Sequence, residues 1–244
     1  MKRTLFVLVG VLVAAVASAE TWDAALAKAQ AALPKMFHGI TAADVSETPV
    51  PGLYAVAVKH RILYVTGDGK YIVRGDLISA ASEENYTAES EGRLRVAALK
   101  GLSDSDMIVY GDKSLPHTVT VFLDVDCAYC ALLYKEVPKM NALGVRVRFV
   151  AFPRSGVNTP SWYKAEAVWC AADRQGAYEA ALKGKLDFSH PCAKNPVGTE
   201  YALGMDLGVT DMGTPTTITD KGVVVFGYRP AQIMADIANG KQTM

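Results

Sequence analysis

The sequence predicts an α/β protein: a C-terminal part that alternates strand, helix and strand, joined to a smaller α+β unit at the N-terminus. Three observations predict it. An apolar, β-branched run over 119–123 reads as a buried strand and meets Cys127 and Cys130, whose Cys-x-x-Cys opens a helical pattern. Near residue 52 the hydrophobic period changes from helical to alternating, with a hairpin signal at Thr66-Gly67-Asp68-Gly69-Lys70. Beyond residue 150 come helical patterns, then a second hairpin and a last helix, as an α/β sheet with both faces covered requires.

The chain opens with Lys2-Arg3, an apolar run over 5–16 and Ala17-Ser18-Ala19, which read as an export signal cleaved after Ala19. The run is shorter than the ~20 residues that span a bilayer. No cysteine lies near the cleavage point, so no lipid anchor is expected. Without the signal the chain keeps 23 basic and 25 acidic residues, and no basic stripe advertises nucleic acid. Half of the 244 residues are hydrophobic, enough for one core or two smaller ones.

Residues 22–33 are rich in strong helix formers, with Thr21 as cap and Pro34 as terminator. Strands follow over 53–58 and 62–65, and the hairpin returns through 71–73. Residues 20–80 thus form a small unit that buries little apolar surface alone, which favours pairing with a second copy. The charged stretch 81–102 reads as a connecting helix with a thin apolar seam at Leu94, Ala97, Ala98 and Leu102, weakened at Gly92. Asn85-Tyr86-Thr87 matches a glycosylation sequon and is read as a chance match.

The second unit spans 103–244. Strands are predicted at 107–110 and 117–123, and the Cys127 helix reaches about 141. In 145–149 apolar and basic residues alternate before the buried 150–152. Helical patterns cover about 160–173, 176–184 and 197–207. Strands at 216–219 and 223–226 and a helix over about 230–238 close the chain. There are no internal repeats.

A helix that begins near Cys127 puts both sulfurs on one face three residues apart, within reach of a disulfide. Cys127 then sits where unpaired N–H groups and the helix dipole favour a thiolate, the form that attacks disulfides. Asp124 and Asp126, just before the nucleophile, read either as modulators of its pKa or as caps of the helix, with capping the preferred role for Asp126. Haem attachment would require His where Ala131 stands. A Cys₄ zinc site would require a second close pair, and Cys170 and Cys192 stand 22 apart. A permanently oxidised structural Cys127–Cys130 bridge is the remaining alternative. His38, His60, His117 and His190 are scattered without ligand spacing.

The order strand, Cys-x-x-Cys, helix, strand, inserted helices, Gly213-Thr214-Pro215, hairpin, helix is similar to the thioredoxin fold. More narrowly, the chain resembles the bacterial periplasmic disulfide isomerases of the DsbC/DsbG family. The likeness is carried by 63–70, 107–110, 119–130, 141–145, Ala151-Phe152-Pro153-Arg154, Trp169-Cys170-Ala171, 201–204 and 207–215, nearly the whole chain after the signal. It implies Cys127 as attacking and Cys130 as resolving cysteine. It also implies Thr214-Pro215 as a cis-proline loop beside the dithiol, and Cys170–Cys192 as a structural disulfide worth about 3 kcal/mol in the chain-entropy model.

The family also implies a homodimer through residues 20–80, misoxidised or unfolded secreted proteins as substrates, a membrane-borne thiol donor of the DsbD type, and no cofactor. The resemblance implies that the two residues between the cysteines modulate thiol pKa and potential; Ala128-Tyr129 departs from the Gly-Tyr common among the isomerases and the Pro-Tyr of the sister branch, which leaves the sub-branch and the redox poise open. Tyr129 reads equally as a substrate contact or a packing residue. Val121 stands where thioredoxins proper keep a buried Asp six residues before the first cysteine, so Cys130 needs another proton route. Within the enzyme class the alternative is a thiol reductase for single oxidised cysteines; outside it, a redox-independent holdase.

Overall fold

The computed structural model describes residues 22–36, 39–188, 192 and 194–241. The expected export signal with its cleavage point, the Thr21 cap, His38 and His190 lie outside the described residues. The described chain falls into two compact units. One runs to Val56 and includes Tyr64–Val73; the other takes Ala57–Leu63 and the chain from Arg74 on.

In the first unit α1 (Trp22–Met36) buries Ala29 and Leu33 completely. It continues two residues past Pro34, the expected terminator. In a last turn the fixed φ of proline is already helical, and only one backbone hydrogen bond is forfeited. Four strands follow in spatial order β1-β2-β3-β4: Val45–Glu47, Leu53–Val58, Arg61–Thr66 and Ile72–Val73. Strand β1, absent from the sequence reading, pairs antiparallel with β2, Val45 opposite Val56. The β3–β4 turn is held by Asp68, whose Oδ1 accepts from the Thr66 hydroxyl at 2.5 Å and the Lys70 amide at 3.0 Å. Edge strand β4 leaves Tyr71, Ile72 and Val73 exposed.

In the second unit α2 (Tyr86–Leu99) is capped by Asn85, which accepts from the Ala88 amide at 2.9 Å. Gly92, helix-weakening by propensity, also has a packing role. The helix crosses the turn at Lys221-Gly222 there, and a Cβ on Gly92 would stand 3.1 Å from the Lys221 carbonyl oxygen. A Cβ on Gly222 would be 2.2 Å from the Gly92 carbonyl oxygen, so the approach excludes a side chain at 222 and would be crowded by one at 92. Arg95 seals it, donating to the Gly222 carbonyl at 3.0 Å.

The five-stranded sheet has the order β5-β7-β6-β8-β9: Ile108–Tyr110, Val145–Ala151, His117–Leu123, Thr216–Thr219 and Val224–Phe226. Strands β6 and β7 are parallel, joined through α3 (Ala128–Ala142); the other pairings are antiparallel. Alternation along β6 sends Val119, Val121 and Leu123 into one core with Leu133, Val137 and Met140 of α3 and Met234 of α8 (Ala231–Asn239). Helices α4 (Pro160–Cys170) and α5 (Arg174–Leu182) close that core with Trp169 and Tyr178. Phe122, Val150, Phe152 and Ile218 face the other way, into a core with Leu99 of α2, Leu207 at the C-cap of α6 (Val197–Asp206) and Val209 of α7 (Val209–Met212).

Candidate active site

Strand β6 delivers the chain to Asp124, and the turn that follows starts α3. The Cys127 amide donates to the Asp124 carbonyl at 3.1 Å, which makes Cys127, not Asp126, the residue that caps the helix. Its backbone is extended, and its sulfur accepts from the Cys130 amide at 3.4 Å. Asp126 turns outward to Lys164, 2.7 Å away, so the expected capping role for Asp126 is replaced by an ion pair.

The Thr214-Pro215 bond is cis and stands against the dithiol. The Cys127 thiol donates to the Thr214 carbonyl oxygen at 3.3 Å. The Thr214 hydroxyl is buried with no partner of its own, which leaves it available to a thiolate. The loop is fixed by the Thr216 hydroxyl, which donates to the Gly213 carbonyl at 2.6 Å, and by the Gly227 amide, which donates to the Pro215 carbonyl at 2.8 Å.

These neighbours split the two thiols. Cys127 is lowered to about 5, chiefly by the hydrogen bond from the Cys130 thiol, with help from the Thr214 side chain, the Cys130 amide and the positive charge of Arg154; burial works against them. Cys130 is pushed far above the ordinary thiol range by burial first, then by its neighbour's charge. One sulfur is therefore an ionised nucleophile at neutral pH and the other a thiol that holds its proton. Both lie deeper than a pair at an open helix mouth, Cys127 at 3% and Cys130 at 1% exposure. A partner disulfide has to be brought down onto Cys127.

The residues between them are on the surface: Ala128 is exposed and Tyr129 is 62% exposed, so Tyr129 does not pack in the core. Cys170 at the end of α4 is bonded to Cys192, with Sγ atoms 2.01 Å apart. That bond removes both sulfurs from any Cys₄ metal site.

Asp124 has a larger part than the sequence suggested. Its carboxylate is 2% exposed and accepts from the Asp126 amide, the Ser161 hydroxyl and the Arg154 amide, each at 2.8 Å, with Arg154 Nε 3.4 Å away. One buried acid thus fixes the turn before Cys127 and holds the Arg154 guanidinium where its charge reaches the thiolate. Ser161 and Arg154 were missed as site residues. The signal that pointed to them was an acid closing an otherwise apolar strand, a position that requires donors.

Two family models match the chain: "Disulfide bond isomerase protein N-terminal domain" over residues 17–88 and "Thioredoxin-like domain" over residues 103–240. A protein of Dickeya dadantii named thiol:disulfide interchange protein DsbC is 38% identical over 198 residues, 80% of each chain. The Escherichia coli K12 protein of that name is 34% identical over 241 residues, 98% of this chain and 97% of its own. Among solved structures, a disulfide interchange protein from Neisseria gonorrhoeae is 29% identical, with a TM-score of 0.49 over 59% of this chain and 100% of its own. With a dithiol at the mouth of α3 and relatives matched along nearly their full length, the chain belongs to the family of thiol:disulfide interchange proteins DsbC.

Proposed function

We propose that this protein is a periplasmic disulfide isomerase that rearranges incorrect disulfides in secreted proteins through the Cys127–Cys130 dithiol. The observation that carries the reading is the seat of the dithiol: Cys127 caps α3, its sulfur accepts from the Cys130 amide at 3.4 Å, and its thiol lies 3.3 Å from the Thr214 carbonyl oxygen.

The Cys127 thiolate attacks one sulfur of a substrate disulfide. A Cys127–substrate disulfide forms, the substrate S–S bond breaks, and the departing thiolate takes a proton from solvent. A second substrate thiolate can then attack the substrate sulfur of the mixed disulfide. A new substrate disulfide forms, Cys127 leaves as thiolate, and no electrons are exchanged overall. Alternatively Cys130 loses its proton and attacks Cys127 Sγ, which releases reduced substrate and leaves Cys127–Cys130 oxidised. That exit consumes two electrons, so it needs a dithiol reductant, for which a membrane thiol donor of the DsbD type is the natural partner. Cys130 has to lose its proton before this exit, and its burial disfavours that step.

The remaining roles are assigned on the same basis. Thr214 and Pro215 present backbone groups to the substrate chain, Ala128 and Tyr129 meet it at the surface, and Cys170–Cys192 is structural. Residues 20–80 form the dimerisation domain, 81–102 the linker and 103–244 the catalytic domain. The exposed apolar edge at Tyr71, Ile72 and Val73 supports pairing with a second copy, since a free apolar edge strand invites one. Export with cleavage after Ala19 places the protein in the periplasm, and no helix among the described residues is long and apolar enough to cross a membrane.

The test is refolding of a scrambled-disulfide substrate by wild-type protein and by Cys127→Ser and Cys130→Ser. Cys127→Ser should be inactive, and Cys130→Ser should retain isomerisation but lose turnover as a reductase. Isomerase activity in Cys127→Ser would overturn the assignment, and activity confined to sulfenic-acid substrates would favour the single-cysteine reductase.

A further inference from the structure

On the sheet face away from α3, the C-terminal end of α2 stands off from β6, β7 and β8 and leaves a cavity of about 220 Å³. Its apolar wall comes from α2. Its polar side is made by Thr118, Thr120, Arg148 and Thr219, with Lys100 and Asp220 at the rim. That volume is below the range of sites for drug-sized molecules and suits a small ion.

Arg148 gives the cavity its chemistry. The side chain is half-buried, its Nη2 donates to the Thr120 hydroxyl at 2.7 Å, and its Nε is buried with no acceptor. Among the described residues no carboxylate forms an ion pair with it. The nearby acids are already engaged. Asp104 Oδ2 is shared between Arg146 at 2.7 Å and Lys113 at 3.1 Å. Asp220 Oδ2 takes the Thr118 amide at 3.3 Å and faces His117 Nδ1 at 3.4 Å. The lining itself carries Lys100 and Arg148 against Asp220, one unbalanced positive charge before any proton on His117. Burial accordingly draws the Arg148 guanidinium below its ordinary pKa.

The donors outnumber what a carboxylate can use. The Thr120 hydroxyl accepts from Arg148, so its own hydrogen is free to donate. The Thr219 hydroxyl accepts from the Lys221 and Val223 amides at 3.3 and 3.2 Å, and its hydrogen is likewise free. With Thr118, the guanidinium and the Lys100 ammonium, these donors suit an anion with three or four acceptor oxygens.

We propose that this cavity is a binding site for a phosphate-class oxyanion, held by Arg148 and Lys100 with the hydroxyls of Thr118, Thr120 and Thr219. The site is remote from the dithiol and does not depend on the redox reading. Its occupant would join the end of α2 to the sheet, so binding should read out as stability of the catalytic unit.

The experiment is thermal unfolding and isothermal titration calorimetry of the full protein with inorganic phosphate, at constant ionic strength set with chloride, and with acetate and glycerol phosphate as parallel arms. Phosphate should raise the unfolding midpoint by a few degrees in a saturable way that chloride and acetate do not reproduce. Glycerol phosphate binding as well as phosphate would identify an ester-borne phosphate group as a ligand; failing to bind would identify the free ion, and either result supports the site. Arg148→Gln should abolish the effect. Should that variant not fold, Lys100→Gln, altered at an exposed helix end, should weaken phosphate binding severalfold. No shift beyond chloride, an equal response to acetate, or an undiminished response in the folded variants would overturn the proposal.

Discussion

Thr214 meets Cys127 with two groups of opposite character: its carbonyl oxygen accepts a hydrogen bond from the thiol at 3.3 Å, and its hydroxyl is buried with no partner of its own. The first favours the thiol and the second the thiolate, so the hydroxyl adds to the larger effect of the Cys130 thiol in making Cys127 acidic. Thr214→Val removes it at nearly constant volume. A hydrogen bond to a charged group contributes about 1.5–3 kcal/mol, so the Cys127 pKa should rise by roughly one to two units. The check is the pH dependence of iodoacetamide alkylation: the variant should fall behind wild type strongly at pH 5–6 and only modestly at pH 7.

The lowered Cys127 pKa also ties stability to pH. Ionisation stabilises the reduced fold relative to its unfolded chain, an effect complete above the ordinary thiol value of 9.0 and lost as pH falls through about 5. The oxidised protein has no such group. The midpoint of reduced protein should therefore rise relative to oxidised protein between pH 5 and 9 and level off below pH 4. The raised pKa of Cys130 subtracts from the reduced form only above pH 9. Calorimetric scans of both redox states across this range provide the measurement; a difference independent of pH would contradict the ionised sulfur.

Asp124→Asn keeps the shape and removes the charge. One oxygen becomes an NH₂ facing donors that lose their acceptor, and the Arg154 guanidinium loses its counter-charge. Breaking a buried, charged hydrogen-bonded group costs about 3–5 kcal/mol; partial exposure of Arg154 puts the expectation at about 2–3 kcal/mol. Urea unfolding should show this loss together with a higher Cys127 pKa. Loss of stability without a change in thiol titration would mean that Asp124 holds the turn but not the charge.

Replacing Cys170 and Cys192 together by alanine opens a 22-residue link. The chain-entropy model gives a loss of about 3 kcal/mol, while alkylation of Cys127 should be unaltered. An equilibrium denaturation curve beside a thiol titration tests both statements on one sample.

Much of this was written locally in the chain. The run 119–123 and the Cys-x-x-Cys identify β6, α3 and their junction, because a period of two meets a period of 3.6 at one point. What was hidden depended on distant segments. Cysteine is not a usual cap, so Asp126 was the natural choice until the turn at Asp124 moved the start of α3 by one residue. Gly92 reads as a flaw until the Lys221-Gly222 turn is packed on it. Arg146 is only 7% exposed because Asp104, 42 residues earlier, reaches it at 2.7 Å. Strand β1 has three residues, too few for a period to register.

Ala128 and Tyr129 stand between two buried sulfurs yet are themselves at the surface. Substituting them removes no core contact, so variants at 128 and 129 should fold as the parent does and differ in chemistry alone. A library confined to those two codons would test whether the pair sets the redox poise of the dithiol on one unaltered frame, with expression level as a built-in control.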